Sequence, residues 1–506
     1  MPKNREEKIF HIYTASFNLD SDSSGELKVV EKYKVGDAEV YIVENDGYGY
    51  YMVNEPNLSN EELKVLSDVL DELIRMVPPR IHSPDKFLDD TLRKFGEMKG
   101  FRDIISRSGD KLKYYIKRDM FGYERLDVLF RDDDVEEISC TAYNSPVTVI
   151  HRRYSEYDWM RTNIHFRDID DMNRYVRRLA QVSGKNVTTA QPTIDAISPT
   201  GDRIAVTFQS EITLPGPTLA VRKFPKHPLT ITQLLKFNTL SPLMAAYLWL
   251  LIEAKGYIMI VGAMGTGKTT LLSCLTNLIH PNWKVATIED TPEVRTFHEQ
   301  WLRMKSRIPL FKSEVAPITL VDLVIISLRH RPDYIIVGET RSVEIQALTQ
   351  AAALGHGCMT TFHGSDARNA LTRMSAPPLN VGISGQLLIW AIVVTRRLHY
   401  RGKAVRRVVS IEEVDPYFYE YPKLIQIFKW SPADDTFSPD DPEEVVKRSV
   451  RLKTVMEMTG WTEDDVVKQL SLRSRFLKLL VNRGIFNYAD VVDKIKMWYG
   501  GRMREI

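Results

Sequence analysis

The residues with the clearest chemical meaning form a glycine-rich run, GAMGTGKTT, at residues 262–270. The run fits G-x-x-x-x-G-K-[ST], in which glycines let the chain curl so that successive backbone N–H groups converge on an anion. A strand-like run, YIMIV, precedes it and a helical segment, TLLSCLTNLI, follows it, as the pattern requires. The sequence therefore predicts a nucleotide phosphate site here, with a chance glycine-rich turn as the alternative.

The side chains of this loop have separate expected tasks. Lys268 should reach the β- and γ-phosphates, and the Thr269 hydroxyl offers Mg²⁺ the oxygen ligand that this hard cation prefers. The cofactors expected are therefore ATP and Mg²⁺. The residues predicted to contact the nucleotide are Gly262, Met264, Gly265, Thr266, Gly267, Lys268, Thr269 and Thr270.

Two acidic segments follow strand-like runs downstream of the loop. The first is IEDTPE at residues 288–293, after KVATI, and the second contains Glu339, after YIIVG. Carboxylates at the carboxyl end of such a strand can orient water and hold a metal ion, because ligands of α/β sheets bind at that edge. A helix N-terminus for the first segment and a surface turn for the second are the alternatives.

Two histidines flank a third strand-like run, in GHGCMTTFHG at residues 355–364. His363 can contact a terminal phosphate there, and a structural histidine is the alternative. His356, Cys358 and His363 do not complete a four-ligand zinc site of known spacing.

The surrounding pattern indicates how these residues are positioned. From residue 257 onward, apolar strand-like runs alternate with helical segments, which is typical of a parallel sheet covered by helices on both faces. Upstream, the turn ENDG at residues 44–47 separates two alternating runs and predicts a hairpin. An amphipathic helix is expected from Asn60 up to Pro78 and Pro79.

Composition limits the classes of protein. With 506 residues, 43% hydrophobic and 26% charged, the chain should be globular with several domains, and its formal charge of +2 does not favour nucleic-acid binding. Three scattered cysteines favour a reducing compartment. The apolar runs fall short of the roughly 18 residues that span a bilayer, and the first residues lack a signal-peptide core. We expect a cytoplasmic protein that reaches a membrane only by docking.

Four motifs, in their order along the chain, resemble those of the secretion superfamily ATPases, the motors of type II secretion, type IV pili, archaella and conjugative type IV secretion. The four motifs are the phosphate loop, IEDTPE, LRHRPDYIIVGETR and GHGCMTTFHG. Upstream, residues 116–152 and 199–224 resemble the N-terminal domain of the archaeal branch. The absence of a tetracysteine zinc module also favours that branch. One departure is GETRS where many relatives have GE-[VI]-R-[GD], and another is Gly364 in place of the commoner Ala.

The resemblance implies an α/β fold, with a RecA-like P-loop domain and its parallel sheet preceded by an α+β domain and followed by helices. The role of residues 1–110 stays open, and partner binding is one candidate. The implied divisions are an N-terminal α+β module at 1–110, the α+β domain at 111–226, a linker at 227–240, the RecA-like domain at 241–415 and a largely helical region at 416–506.

The resemblance also assigns roles to individual residues. Glu289 becomes the general base, Glu339 holds Mg²⁺ directly or through water, and His363 senses the nucleotide state. Arg203 and Arg222 match family arginines that approach the phosphates from the N-terminal domain, where guanidinium charge offsets charge on the transferred group. Ordinary surface arginines are the alternative for this pair.

The function expected is that of a homohexameric ring ATPase at the inner face of the cell membrane. Its two domains would close on ATP and drive assembly or rotation of a type IV filament through a polytopic membrane platform protein, with no nucleic acid involved. A DNA-translocating conjugation-type ATPase is one alternative, and a scaffold that binds nucleotide without hydrolysing it is another.

Overall fold

The computed structural model describes residues 13–17, 27–76, 84–224, 228–307, 316–401 and 403–501. The chain divides into two compact units, Met1–Lys226 and His227–Ile506, which we call unit 1 and unit 2. Each unit contains a nine-stranded sheet.

Unit 1 places its strands in the order β1-β2-β3-β6-β5-β4-β9-β8-β7. The strands are β1 (Lys28–Val35), β2 (Ala38–Asn45), β3 (Tyr48–Asn54), β4 (Val135–Cys140), β5 (Thr148–His151), β6 (Trp159–Thr162), β7 (Thr193–Ile197), β8 (Arg203–Thr207) and β9 (Leu219–Arg222). The helices are α1 (Asn60–Met76), α2 (Pro84–Lys99), α3 (Arg102–Ile116), α4 (Asp127–Arg131) and α5 (Ile169–Val182), and a π-helical turn, Lys117–Phe121, continues α3.

The first part of the chain belongs to this same sheet. Strands β2 and β3 form the expected antiparallel hairpin, and β3 pairs in parallel with β6. The expected boundary between residues 110 and 111 therefore does not divide the sheet, because strands from both sides of it share one set of backbone hydrogen bonds. Helix α1 begins at Asn60 as expected, whereas Pro78 and Pro79 lie outside the described residues.

Unit 2 places its strands in the order β12-β11-β13-β14-β10-β15-β16-β17-β18. The strands are β10 (Tyr257–Gly262), β11 (Val285–Glu289), β12 (Trp301–Lys305), β13 (Tyr334–Thr340), β14 (Gly357–His363), β15 (Ile389–Tyr400), β16 (Lys403–Val414), β17 (Leu424–Ser431) and β18 (Thr436–Ser438). The helices are α6 (Ile231–Lys236), α7 (Pro242–Glu253), α8 (Lys268–Thr276), α9 (Leu320–Arg329), α10 (Glu344–Ala353), α11 (Ala367–Ser375), α12 (Ile383–Gln386), α13 (Pro442–Arg448), α14 (Val450–Thr459), α15 (Glu463–Asn482) and α16 (Tyr488–Tyr499).

The sheet of unit 2 has a parallel part and an antiparallel extension. Strands β12, β11, β13, β14, β10 and β15 pair in parallel, and β10 and β11 are buried along their whole length. This arrangement confirms the expected α/β fold class, since buried parallel strands require helices on both faces. Strands β16 to β18 then add antiparallel pairs. The sheet therefore ends at residue 438, beyond residue 415, where the RecA-like domain was expected to end.

The segment expected to be a linker, residues 227–240, is folded from residue 228 onward. Thr230 and Gln233 form a reciprocal capping box that starts α6. Ile231 and Leu234 are buried in the core of unit 2, and the Thr232 hydroxyl donates to the Ile485 carbonyl at 2.8 Å. A local cap and an apolar face therefore make this segment part of unit 2, although its sequence has no clear helical period.

Helix α7 runs through the interior of unit 2, where ten of its twelve residues are buried. A helix that is apolar on every side needs protein around it, and α15 is the helix with which α7 packs most extensively. Of the helices that the structure describes, none has both the length and the apolar composition that crossing a bilayer requires.

The N-terminus of α15 gives a test of local stability. The Thr462 hydroxyl and the Asp465 backbone and carboxylate form a capping box, with the Asp465 N–H donating to Thr462 Oγ1 at 3.2 Å. We expect Thr462→Ala to lower the free energy of unfolding of unit 2 by about 1 kcal/mol, because an N-cap hydroxyl is lost. Urea denaturation followed by tryptophan fluorescence measures the change.

Lys478→Ala is the control for this substitution, since Lys478 is exposed on the same helix. It should change stability by less than about 0.5 kcal/mol. Equal effects of the two substitutions would show that the capping box does not stabilise α15.

Candidate functional site

The parallel register of unit 2 gathers the predicted residues at one edge of the sheet. Gly262 at the end of β10 pairs with His363 at the end of β14. Glu289 ends β11, and Glu339 is the second-last residue of β13, the strand between β11 and β14. The carboxyl ends of four parallel strands therefore meet here, which is the edge where α/β sheets bind ligands.

The glycine-rich loop that follows β10 depends on conformations that only glycine adopts easily. Gly265 and Gly267 have φ of +72° and +88°, in the left-handed region. A Cβ atom on Gly262 would lie 2.6 Å from oxygen atoms of Thr266 and Thr395. The backbone therefore turns sharply between β10 and α8, as an anion-binding loop requires.

Polar side chains close this loop on itself. Lys268 Nζ donates to the Ala263 carbonyl at 2.8 Å, and Thr266 Oγ1 donates to the same oxygen at 2.9 Å. Thr269 and Thr270 are half-buried in the first turn of α8, whereas Met264 is exposed. The lysine is thus folded over the loop, with its ammonium group beside the turn.

Arg406 on β16 also contacts the loop, and the sequence analysis missed it. Its Nε donates to the Gly265 carbonyl at 3.0 Å. Because a peptide unit is planar and trans, fixing this carbonyl also fixes the Thr266 N–H, which points in the opposite direction. Arg406 lies far along the chain from the loop, and the contact arises from the pairing of β15 with β16, so no spacing pattern indicates it.

Glu289 is 2% exposed at the end of β11. Its Oε1 accepts from the backbone N–H groups of Glu293 at 2.7 Å and Val294 at 2.9 Å. Its Oε2 is buried and has no hydrogen-bond partner among the described residues. Burial raises the pKa of Glu289 to about 7, although both N–H groups act in the opposite direction. The carboxyl group can therefore exchange a proton near neutral pH.

Space for Glu289 comes from the neighbouring strand. A Cβ atom on Gly338 of β13 would lie 2.8 Å from Glu289 Cγ. A larger residue at position 338 would displace the glutamate side chain. In YIIVGET, Gly338 therefore leaves space for the Glu289 side chain, and the next residue, Glu339, supplies the second carboxylate.

Glu339 has a charged environment instead. Arg341 Nη2 and His363 Nε2 both contact its carboxylate. Burial favours the protonated form, but the Arg341 hydrogen bond and the charges of Arg341, His363 and Lys268 hold the pKa of Glu339 below its usual value. Burial and, after it, the charge of the nearby Lys268 lower the pKa of His363.

Arg203 and Arg222 lie in unit 1 on neighbouring strands, directly opposite each other in the β8–β9 register, and both are exposed. Arg203 forms a two-pronged ion pair with Asp195, at 3.1 Å from Nε and 2.6 Å from Nη2. The structure thus brings the two arginines together, and the sequence analysis missed Asp195. Their approach to phosphates stays a prediction.

The chain is similar to known proteins along most of its length. Residues 134–399 match the family model described as Type II/IV secretion system protein. The chain belongs to this family. An uncharacterized protein of Methanocaldococcus jannaschii is 31% identical over 479 residues, which cover 89% of this chain and 85% of that relative.

Two further similarities come from bacteria. The conjugal transfer protein TrbB of Rhizobium radiobacter is 28% identical over 222 residues, 42% of this chain and 66% of that protein. The ATPase DotB of Legionella pneumophila has a solved structure that is 17% identical, covers 75% of this chain and 95% of that chain, and superposes with a TM-score of 0.43.

The buried Glu289 gives a test that does not depend on activity. Because its folded pKa of about 7 lies above the usual value of 4.5, the folded protein binds more protons than the unfolded chain between these pH values. Wild type should therefore lose about 2 kcal/mol of stability from this group as the pH rises from 5 to 8. Glu289→Gln stays neutral and keeps an acceptor for both N–H groups, so it should escape this loss.

Urea denaturation of both proteins at pH 5 and pH 8 measures the difference. The stability advantage of wild type over Glu289→Gln should shrink as the pH rises. Glu299→Gln, a change at an exposed residue of the following loop, is the control and should show a difference that does not vary with pH. A constant difference for Glu289→Gln as well would contradict the raised pKa.

Proposed function

We propose that this chain binds ATP with Mg²⁺ in unit 2, hydrolyses it, and uses the energy to move a part of a type IV filament or secretion machine. The observation that carries the proposal is the meeting of the glycine-rich loop, two carboxylates and a histidine at one sheet edge. Membership of the type II/IV secretion system family supports it.

The residues at the loop fit a bound nucleotide. The left-handed glycines shape a turn whose N–H groups can face phosphate oxygens, at the N-terminus of α8. Lys268 would exchange the Ala263 carbonyl for the β- and γ-phosphates, because a phosphate is a stronger partner for an ammonium group. Thr269 and Glu339 would hold Mg²⁺, Glu339 directly or through water, and the ion would neutralise charge on the phosphates.

The two carboxylates fit different roles in hydrolysis. Glu289 has one oxygen without a hydrogen-bond partner among the described residues and a pKa raised to about 7, which suit a general base that accepts a proton from water near neutral pH. Glu339 stays ionised because Arg341 and His363 stabilise its charge, which suits a group that holds a cation. His363, the last residue of β14, contacts Glu339. We propose that His363 senses whether the terminal phosphate is present.

The wider function is part of the same proposal. A homohexamer at the inner face of the cell membrane would act on a polytopic platform protein and drive assembly or rotation of a type IV filament of the archaeal branch. Arg203 and Arg222 would neutralise charge on the phosphates. The family match supports a role in a type II/IV secretion machine, and the relative from Methanocaldococcus jannaschii, which aligns along 89% of the chain, supports the archaeal branch.

Steady-state ATP hydrolysis by purified full-length protein tests the catalytic roles. Lys268→Ala should lose both nucleotide binding and turnover. Glu289→Gln should still bind ATP, while kcat falls by about 10²- to 10⁴-fold, because only the proton acceptor is removed. Glu299→Gln is the matched control and should keep wild-type turnover. Wild-type rates in the Lys268 or Glu289 variant would disprove the mechanism, and wild-type protein that binds but never hydrolyses ATP would indicate a scaffold.

Arg406 provides a separate test of the loop geometry. Arg406→Ala removes the hydrogen bond from a charged group to the Gly265 carbonyl, so the Thr266 N–H loses its fixed direction. We expect the Kd for a fluorescent ATP analogue to rise about tenfold, equivalent to roughly 1.4 kcal/mol. Arg475→Ala, at an exposed position of α15, should leave the Kd unchanged. Equal Kd values for wild type and Arg406→Ala would show that this contact does not shape the site.

A second candidate function is DNA translocation in a conjugation-type machine. The similarity to a conjugal transfer protein favours it, while the near-neutral charge of the chain does not. ATP hydrolysis that increases on addition of DNA, with an increase that weakens steeply as salt is added, would support this candidate over the first.

A further inference from the structure

Unit 1 contains a cluster of potential metal ligands that the proposed ATPase reaction does not use. Asp132, Asp134 and His151 each offer a ligand atom, and these three atoms lie within 4.8 Å of one another. Both aspartates lie between α4 and β4, and His151 ends β5, where it pairs with Val135. The β4–β5 pairing therefore brings the three side chains together although they are separated along the chain.

The histidine of this cluster is incompletely satisfied. His151 is 0% exposed, and its Nδ1 has no hydrogen-bond partner among the described residues. Its Nε2 lies 3.1 Å from the Tyr33 hydroxyl, which donates its own proton to Asp132 Oδ2 at 2.6 Å. Nε2 is therefore the nitrogen that carries hydrogen, and Nδ1 presents a buried lone pair. A buried polar atom without a partner is costly unless a ligand satisfies it.

The charge of Asp132 is also incompletely balanced. Its carboxylate is 4% exposed and accepts from the hydroxyls of Tyr33 and Tyr51 and from the Asp134 N–H, none of which is charged. Lys223 Nζ donates instead to the main-chain oxygen of Asp132. The donors that contact the carboxylate itself are therefore neutral, and an added cation bound to the carboxylate would stabilise its charge.

Other side chains hold the cluster in position. Arg153 Nε donates to Asp134 Oδ2 at 2.7 Å, and its Nη1 pairs with Glu31. Tyr33 and Tyr51 hold Asp132 from β1 and β3. Metal ligands are commonly oriented by such hydrogen bonds, which fix the carboxylate and imidazole directions before the ion binds.

We propose that Asp132, Asp134 and His151 form a structural site for a divalent transition-metal ion. One imidazole nitrogen with two carboxylates is a donor set suited to Zn²⁺ or Mn²⁺, whereas Mg²⁺ and Ca²⁺ prefer oxygen alone. The ion would join the end of β5 to the turn before β4, and the tyrosines would connect it to β1 and β3. Its role is to fasten the first strands to the rest of the unit 1 sheet, independently of nucleotide.

The test uses full-length protein treated with a chelator, dialysed, and titrated in the absence of nucleotide with Zn²⁺ and Mn²⁺ by calorimetry. We expect one ion per chain and a higher midpoint of thermal unfolding, with Mg²⁺ giving neither at the same concentration. Asp134→Asn should weaken Zn²⁺ or Mn²⁺ binding by at least about tenfold, because a ligand is lost. Asp134 is partly exposed, so this variant should keep the wild-type circular dichroism spectrum.

Asp110→Asn is the matched control, since Asp110 is fully exposed on α3 and should leave metal affinity unchanged. His151→Gln is a second variant that removes the imidazole and should abolish the thermal shift. The proposal is overturned if wild type binds neither Zn²⁺ nor Mn²⁺ in the micromolar range. It is also overturned if Asp134→Asn binds them as tightly as wild type does.

Discussion

The parallel pairing of β10 with β14 is the constraint on which the candidate site depends. The two strands are paired from Tyr257 with Cys358 to Gly262 with His363, so the start of the glycine-rich loop and the last residue of β14 reach the same level. Because side chains alternate between the two faces of a strand, a shift of one residue would move His363 to the opposite face. Buried strands resist such a shift, since every apolar side chain would lose its packing.

Burial also explains why neighbouring carboxylates at this edge differ. Glu289 is surrounded by protein and accepts from two neutral N–H groups, so desolvation decides its pKa. Glu339 is equally close to the edge, but Arg341 and His363 contact it, and their electrostatic effect exceeds that of burial. The surroundings therefore shift the pKa values of two groups of the same chemical type in opposite directions. This difference suits Glu289 to the proposed role of base and Glu339 to the proposed role of metal ligand.

The sequence predicted those features that depend on local pattern. Residue spacing predicts the glycine-rich loop, the strand before it, the helix after it and the carboxyl-terminal position of Glu289. Contacts between distant segments could not be predicted in this way. Arg406 reaches Gly265 because β15 and β16 extend beyond the sheet edge, and no local pattern reports this extension.

The continuity of the unit 1 sheet across residues 110 and 111 was missed for the same physical reason. A pattern of alternating residues predicts that the segment of residues 38–53 forms a hairpin, but it cannot predict the next strand with which that hairpin pairs. The parallel contact of Tyr50 and Tyr51 with β6 makes one sheet from two segments that looked independent. Likewise, the capping box of α6 is visible only when Gln233 is seen to reach back to Thr230.

A comparison with a second buried glutamate shows what distinguishes Glu289. Glu413 is 0% exposed, and burial raises its pKa as well. However, both of its oxygens are satisfied, by the Tyr247 and Ser449 hydroxyls and by the N–H groups of Val450 and Arg451 at the start of α14. Glu413 therefore fixes a helix, and its carboxylate has no capacity left for a ligand. Glu289 has the same burial but keeps one oxygen without a partner, and this unused acceptor fits it to take a proton from water.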